Sequence, residues 1–184
     1  MRVISGKAGG LRLRSLSGLS TRPTADRIKE SLFNIIDPVV KGAKVLDLFA
    51  GTGALGIEAL SRGAEFAVFI DKTRESISII KDNLKHTKLE HLAELYLTDF
   101  EAGLCKLSCL NKNYDIIFLD PPYGQGHELK AIKKIVEFQL LDKKGIIIVE
   151  NEKKDELPSE LYETIKVDSR DYGRTAVSFY KLKE

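Results

Sequence analysis

The tetrapeptide Asp120-Pro121-Pro122-Tyr123 has the groups needed to hold a planar molecule that carries an exocyclic amine. It directly follows the apolar run 116–119, which is typical of a buried strand. Neither proline can donate a backbone hydrogen bond, so the strand ladder should end here and leave carbonyl oxygens as acceptors. A carboxylate and carbonyls accept hydrogen bonds from an amine, and the ring of Tyr123 offers a face for stacking. The tetrapeptide is therefore a candidate reactive site.

Carboxylates also occupy the ends of the other predicted strands. Asp47 lies near the end of the first strand, Asp71 follows the second, and Asp99 follows the third. In open α/β sheets, ligands bind beyond the carboxyl ends of the strands, where the strand order reverses. A single aspartate in a turn is usually a helix cap or a surface residue. Four at successive strand ends, with Asp120 as the fourth, predict one shared ligand site.

A glycine-rich segment follows the first strand. Gly51-Thr52-Gly53-Ala54-Leu55-Gly56 matches the dinucleotide pattern G-x-G-x-x-G, and Asp71 follows at the distance of a ribose-binding acid. This match alone leaves NAD open as the ligand. Asp47 precedes the glycines, and its negative charge would lie close to the pyrophosphate of NAD and repel it. A ligand with a cationic group at this position fits better. NAD binding would also give the tetrapeptide 120–123 no role.

Alternating strand and helix patterns must position these residues. Two apolar segments near the C-terminus, 162–168 and 175–181, are joined by a short turn and predict a hairpin. Helical patterns separate five earlier strand segments, 44–49, 66–70, 92–97, 114–119 and 145–149. Strand–helix repeats of this length predict an α/β fold with helices on both faces of the sheet. We expect a mostly parallel sheet of seven strands with an antiparallel C-terminal hairpin.

The N-terminal segment is basic and has its own pattern. Residues 1–31 carry seven Lys and Arg against Asp26 and Glu30, a net charge of +5 within a chain whose total is +2. Two short strands, 3–5 and 11–15, flank a glycine turn, and alternation places Arg12 and Arg14 on one face. Such a face suits phosphate contacts, although a solvated basic tail would show the same composition.

A helix should follow this basic segment. Thr24 is a plausible N-cap, and Asp26 favours the first turn of a helix. Apolar residues then recur at helical spacing, and Pro38 should end the helix.

Composition limits the remaining possibilities. A chain of 184 residues predicts a single domain, and no run of about 18 apolar residues predicts a membrane span. The N-terminus lacks the apolar core of a signal peptide, so a cytoplasmic protein is the simplest interpretation. Cys105 and Cys109 lack further ligands nearby and are expected in the core, and the three histidines have no metal-ligand spacing.

Several segments together resemble one enzyme family. Residues 45–53 resemble motif I of class I S-adenosylmethionine-dependent methyltransferases, and Asp120–Tyr123 resembles motif IV of the amino-methylating members. The wider pattern consists of Arg22-Pro23-Thr24, Asp26-Arg27, Leu32-Phe33-Asn34 and the segment 55–64. The combination resembles the RsmD family, bacterial 16S ribosomal RNA guanine-N2 methyltransferases, over nearly the whole chain. The resemblance implies a Rossmann-like methyltransferase domain at 21–184 and a basic β-hairpin extension at 1–20.

The resemblance also implies roles for individual residues. Asp47, Phe49, Gly51 and Gly53 would form the motif I part of an S-adenosylmethionine site, with Asp47 near the ammonium. Asp71 would accept from the ribose hydroxyls, Asp99 would meet the adenine amine, and Thr24 would close over the methionine end. Phe100 and Lys72 would pack on the adenine ring. Asp120, Pro121, Pro122 and Tyr123 would hold the target base, and Arg12, Arg14 and Arg22 would contact RNA.

The substrate is predicted at two levels. The tetrapeptide indicates methylation of an amine, while guanine-N2 comes from the family resemblance, with adenine-N6 in DNA or RNA as the alternative. A non-catalytic RNA-binding or NAD-binding protein is the second alternative. The expected partner is 16S ribosomal RNA or the small ribosomal subunit, assembled or assembling, and the expected state is a monomer without metal or membrane contact.

Overall fold

The computed structural model describes residues 1–15, 23–122 and 124–183, with the backbone alone for residues 23–25. Five α-helices alternate with strands: α1 Pro23–Val40, α2 Ala54–Ser61, α3 Arg74–Thr87, α4 Phe100–Cys109 and α5 His127–Glu137. The strands are β1 Lys44–Asp47, β2 Phe66–Asp71, β3 Ala93–Leu97, β4 Tyr114–Leu119, β5 Leu141–Glu152, β6 Glu160–Leu161, β7 Thr164–Tyr172 and β8 Thr175–Leu182. A single 3-10 turn, Glu90–Leu92, precedes β3. The alternation confirms the predicted α/β fold.

One sheet contains all eight strands in the order β3-β2-β1-β4-β5-β8-β7-β6. The first five strands of that order are parallel, and β8, β7 and β6 are each antiparallel to the strand before them. The order reverses between β1 and β4, which share a register that aligns Asp47 with Phe118. The sheet has one strand more than the predicted seven, because the two-residue β6 pairs with β7 at the edge.

Helices cover both faces of the sheet, and neighbouring residues of each strand serve opposite faces. On β4, Ile116 and Phe118 pack in the core cluster under α1, α2 and α3, whereas Ile117 and Leu119 pack under α4 and α5. The parallel strands β1, β2 and β4 are therefore buried on both sides and are nearly continuous apolar runs, whereas the edge strand β3 is only partly buried. None of the described helices is long and apolar enough to cross a membrane.

Two predictions about helices are wrong. Helix α1 begins at Pro23, so Thr24 lies inside its first turn rather than at the N-cap, and the first helical position is one that proline favours. The helix also continues past Pro38 to Val40. Pro38 lies in the last turn, where little helix remains to be disrupted, and Val40 is buried in the core.

Cys105 and Cys109 are exposed rather than buried as predicted. They lie four residues apart on α4 and therefore share one face of that helix. Leu104 and Leu107 occupy the opposite face and fill the core.

The N-terminal segment forms a hairpin, although only one residue pair has strand geometry. Arg2 and Arg12 form an antiparallel bridge, supported by the hydrogen bonds from Val3 N to Leu11 O (2.9 Å) and from Gly10 N to Val3 O (2.8 Å). Val3 and Leu13 pack into the main core, so the hairpin shares the core of the remaining chain. The division into an extension at 1–20 and a domain at 21–184 remains a prediction.

A buried carboxylate fixes the hairpin to the helices. Glu58 of α2 is fully buried and accepts hydrogen bonds from the backbone N–H groups of Ile4 (2.7 Å) and Ser5 (3.0 Å). It also pairs with Lys29 of α1 (3.1 Å) and with Arg62 (2.9 Å). Burial lowers the pKa of Lys29, and the neighbouring Glu58 opposes that shift. Two cations and two backbone donors thus satisfy one buried carboxylate.

Candidate functional site

A pocket of about 690 Å³ lies at the carboxyl ends of the parallel strands, where the strand order reverses. Segments following β1, β2, β3 and β4 contribute to its wall, together with α5 and β5. The lining residues are Leu48, Phe49, Gly51, Asp71, Lys72, Thr73, Ser76, Thr98, Asp99, Phe100, Asp120, Pro121, Pro122, His127 and Glu150. This is the position at which open α/β sheets bind ligands. Its size and mixed polar and aromatic walls suit a nucleoside-containing molecule.

The glycine-rich turn after β1 brings backbone to the edge of the pocket. Gly51 and Gly53 have φ values of 53° and 75°, a left-handed conformation that glycine adopts without strain. Asp71 accepts a hydrogen bond from Gly51 N (2.9 Å) and so joins this turn to the end of β2. Gly56 allows close packing of α2 on the sheet, since a Cβ there would lie 2.3 Å from Phe69. The turn is thus held from both sides.

Asp47 lies beneath that turn rather than in the pocket wall. Only 2% of its surface is exposed, and its Oδ2 accepts a hydrogen bond from Gly56 N (3.0 Å). Burial raises its pKa from 3.8 to about 7, with a smaller contribution from the charge of Asp71, while the Gly56 hydrogen bond acts in the opposite direction. A buried carboxylate with a raised pKa gains from a cation placed nearby.

Asp71 organises the segment after β2 and keeps capacity for a ligand. Its Oδ1 accepts from Thr73 N (2.9 Å) and Thr73 Oγ1 (3.0 Å), while Oδ2 accepts from Gly51. A carboxylate offers about four lone-pair positions, so one remains for a donor from the pocket. Lys72 lies in the wall beside it. Asp71 is thus fixed in orientation before any ligand binds.

Three aromatic rings form an apolar part of the wall. Phe49 and Phe100 lie 5.2 Å apart between ring centroids, and His127 lies 5.2 Å from Phe100 and stacks on Phe49 at 6.2 Å. Next to them, Asp99 caps α4 through Ala102 N (3.0 Å). The His127 Nδ1 is buried and has no hydrogen-bond partner among the described residues. Flat apolar surface beside an acceptor carboxylate suits a purine ring with an amine.

Asp120 and Glu150 form the acidic side of the pocket. Asp120 is open to the pocket but otherwise surrounded by protein, and these low-dielectric surroundings raise its pKa well above the ordinary value. The charge of Glu150 adds to the shift, and that of Asp47 adds further. Pro121 is a buried part of the pocket wall, and Pro122 is an exposed part of it. Neighbouring carboxylates of this kind favour a ligand that presents several hydrogen-bond donors.

The structure brings most of the predicted site residues together. Phe49, Gly51, Asp71, Lys72, Asp99, Phe100, Asp120, Pro121 and Pro122 all line the pocket. Asp47 and Gly53 lie behind it and support the glycine-rich turn. Arg22, Tyr123 and the side chain of Thr24 lie outside the described residues. The roles of all these residues remain predictions.

Arg12 and Arg14 lie on the exposed side of the N-terminal hairpin, as predicted. Arg14 forms an ion pair with Asp82 of α3. The backbone of Arg14 is held by Asn83, which accepts from Arg14 N (2.7 Å) and donates to Arg14 O (3.1 Å). Asn83 also donates to Thr52 O (2.9 Å) in the glycine-rich turn. One side chain therefore joins the basic hairpin to the pocket wall.

Sequence reasoning missed two of these residues. Glu150 directly follows the predicted fifth strand, so the strand-end pattern that identified four aspartates also pointed to it. Asn83 carried no such signal, because an amide on a helix is ordinarily a surface residue, and its burial is only visible in the structure. Among the described residues no group of acidic, histidine or cysteine side chains is arranged to hold a metal ion.

Comparison with known proteins gives matches along nearly the whole chain. The family described as "Conserved hypothetical protein 95" matches residues 1–181. The putative rRNA methyltransferase YlbH of Bacillus subtilis is 43% identical over 184 residues, and the alignment covers 100% of this chain and 100% of that protein. Ribosomal RNA small subunit methyltransferase D of Escherichia coli K12 is 33% identical over 159 residues, which span 86% of this chain and 78% of that protein.

A solved structure agrees with these relatives. The putative methyltransferase yhhF from Escherichia coli superimposes with a TM-score of 0.86 at 32% identity, covering 100% of this chain and 98% of its own. Sequence and fold thus agree over the hairpin, the sheet and the pocket alike. The chain belongs to the conserved hypothetical protein 95 family, the RsmD family of methyltransferases.

Proposed function

We propose that this protein methylates the exocyclic N2 amine of a guanine in 16S ribosomal RNA, with S-adenosylmethionine as methyl donor. One observation carries the proposal: a single pocket contains both the glycine-rich turn and Asp120-Pro121-Pro122. Methyl transfer requires the donor and the amine to lie against each other, so the two motifs must share one cavity. The names of the relatives supply the RNA substrate class.

The pocket residues fit the proposed cofactor in their chemistry. Asp71 accepts from a ribose hydroxyl through its remaining lone-pair position, and Asp99 accepts from the adenine amine. Phe49, Phe100 and Lys72 pack against the purine ring. Asp47 attracts the cationic methionine end through its charge and through the turn that it holds, where glycine lets the backbone approach closely.

The chain's own contribution to the reaction is alignment and charge stabilisation. S-adenosylmethionine, when bound, supplies an electrophilic methyl group on sulfur. Asp120 and the Pro121 carbonyl accept the two N–H bonds of the guanine amine, which directs its lone pair towards that methyl group. As the new C–N bond forms and the C–S bond breaks, positive charge develops on nitrogen, and Asp120 stabilises it. The amine then gives up one proton, to Asp120 or to solvent.

The substrate is proposed to reach the pocket as an unpaired or flipped-out base on a polyanion. A base paired in a helix cannot present its amine to a pocket wall, so the nucleotide must leave its stack. Tyr123 stacks on the base, and Arg12, Arg14 and Arg22 contact phosphates. We propose that the protein acts as a monomer in the cytoplasm on the small ribosomal subunit.

The test uses small ribosomal subunits that lack the modification. Incubation with labelled S-adenosylmethionine followed by nucleoside analysis should give N2-methylguanosine. Asp120→Asn should lower the single-turnover rate by about 10²- to 10³-fold, the range for losing one transition-state contact, while cofactor affinity stays nearly unchanged. Asp115→Asn, at the opposite end of β4, is the control and should react normally. N6-methyladenosine as the product, or normal turnover by Asp120→Asn, would overturn the proposal.

A further inference from the structure

We propose that Glu150 selects guanine over adenine by accepting a hydrogen bond from guanine N1–H while Asp120 holds the N2 amine. The inference rests on the proposed function and assigns a role to a residue that the four strand-end aspartates leave out. Glu150 lies in β5, and its position in the pocket wall places it beside the proposed base site.

The strand register places Glu150 next to Asp120. Strands β4 and β5 are parallel neighbours, and Leu119 is aligned with Val149. Asp120 directly follows Leu119, and Glu150 directly follows Val149. The backbones of Asp120 and Glu150 therefore lie about 5 Å apart, the ordinary spacing between neighbouring strands. Phe118 and Ile148 lie two residues before Asp120 and Glu150, respectively, and pack in the same core cluster. Alternation therefore directs Asp120 and Glu150 to that same face.

The electrostatics agree with this placement. The charge of Glu150 is the largest contribution to the raised pKa of Asp120 after burial itself, which requires the two carboxylates to be close. Asp47 adds negative charge from the same face of β1. Carboxylates so arranged repel one another, and a ligand edge with adjacent N–H donors relieves that repulsion.

Guanine presents such an edge and adenine does not. The guanine amine lies next to N1–H, so N1–H and one amine hydrogen point in nearly the same direction, while the second amine hydrogen points towards the N3 side. Asp120 and the Pro121 carbonyl take the two amine hydrogens, which leaves N1–H to a third acceptor. The adenine amine lies next to an unprotonated N1, whose lone pair would face a carboxylate. A site built to receive an N–H group strongly rejects a ligand that lacks it.

The test compares two bases that share the reacting amine. 2-Aminopurine has the 2-amine of guanine but an unprotonated N1. Once the methylated guanosine has been mapped, RNA is prepared with guanosine or 2-aminopurine riboside at that position. Wild-type protein should methylate the 2-aminopurine RNA with a kcat/KM about 10- to 100-fold lower, the range for one hydrogen bond to a charged group.

Glu150→Gln should remove most of that discrimination. Its amide can accept only a neutral hydrogen bond from guanine N1–H and can donate to an unprotonated N1, so the guanosine rate should fall about 10-fold while the 2-aminopurine rate changes little. A merely structural role would lower both rates by the same factor. Glu152→Gln, two residues further along β5, is the control and should keep the wild-type ratio.

Calorimetry with S-adenosylmethionine checks that the Glu150→Gln protein is folded and binds cofactor. If it is not folded, Glu150→Asp retains the charge on a shorter side chain and should keep part of the discrimination at a lower rate. An unchanged ratio between the two bases in either folded variant would overturn the role of Glu150. Absence of any guanosine methylation by the wild-type protein would instead overturn the proposed function, so the two failures are distinct.

Discussion

The substitution Asp47→Asn should stabilise the protein, and the gain should grow with pH. Asp47 is buried, and its pKa is raised from 3.8 to about 7. A raised pKa in the folded state means that the folded protein holds this proton more tightly than the unfolded chain. Stability from this group is therefore fully present below pH 3.8 and is lost as the pH rises towards 7. Asparagine keeps the acceptor for Gly56 N–H and removes the titration.

The magnitude follows from the two pKa values. At 1.36 kcal/mol for each pH unit, the buried carboxyl costs about 1.7 kcal/mol at pH 5 and about 4 kcal/mol at pH 8. The stability difference between Asp47→Asn and wild type should thus increase by about 2 to 3 kcal/mol between these pH values. Titrating groups far from Asp47 affect both proteins equally and cancel in the difference, whereas Asp120 loses the repulsion of Asp47 and adds to the gain.

Urea unfolding of both proteins from pH 5 to pH 8 measures this difference directly. Asp115→Asn, at the start of the neighbouring strand β4, is the control for replacing an aspartate by asparagine. A constant difference between Asp47→Asn and wild type across the range would refute the buried, raised-pKa carboxyl. The same variant should bind S-adenosylmethionine at least about 10-fold more weakly by calorimetry, because the negative charge beneath the glycine-rich turn is gone.

Three further outcomes follow from other parts of the structure. Replacing Arg12 and Arg14 by glutamine should weaken RNA binding and reduce the slope of log K against log salt concentration by about 1.4, roughly 0.7 for each lost contact to single-stranded RNA. The control Lys143→Gln, near the start of β5, should leave that slope unchanged. An unchanged slope would make the hairpin a solvated basic surface. Glu58→Gln should cost about 3 to 5 kcal/mol in urea unfolding, since the buried Lys29 loses its counter-charge and Arg62 keeps only Asp37, and a loss below 1 kcal/mol would contradict that pairing. Gly56→Ala should cost about 1 to 3 kcal/mol, because its Cβ would collide with the buried ring of Phe69, and wild-type stability would show that the ring moves at little cost.

The parallel sheet could be predicted because its signal is repeated and local. β1, β2 and β4 are short apolar runs followed by polar residues, and burial on both faces removes any ambiguity about which side is inside. The edge strand β3 is only partly buried and has a weaker pattern. The end of α1 could not be read in the same way. Pro38 is normally a stop signal, but burial of Val40 in the core outweighs it over the final turn. Local propensity yields where tertiary packing is strong.

The residues of the candidate site could likewise be predicted where they depend on local sequence patterns, but not where they depend on contacts between distant parts of the chain. Asp71, Asp99 and Asp120 were predictable because strand ends converge whatever the details of packing. Lateral relations between elements were not predictable. The pairing of Asp120 with Glu150 depends on the register of β4 and β5, and β5 continues to Glu152, three residues past the predicted end of that strand. A periodic pattern identifies a strand but does not align it with its neighbour.

Asn83 joins the two proposed binding regions, the N-terminal hairpin and the pocket wall, and would couple them thermodynamically. Its side chain is hydrogen-bonded to Arg14 on one side and to Thr52 on the other, so a displacement of either backbone strains the other's hydrogen bond. If cofactor binding tightens the turn at Thr52, the hairpin becomes better ordered for RNA. RNA must then raise cofactor affinity by the same factor, because coupling between two binding equilibria is reciprocal. A single buried amide would thus couple the two sites, so that each substrate binds more tightly once the other is in place.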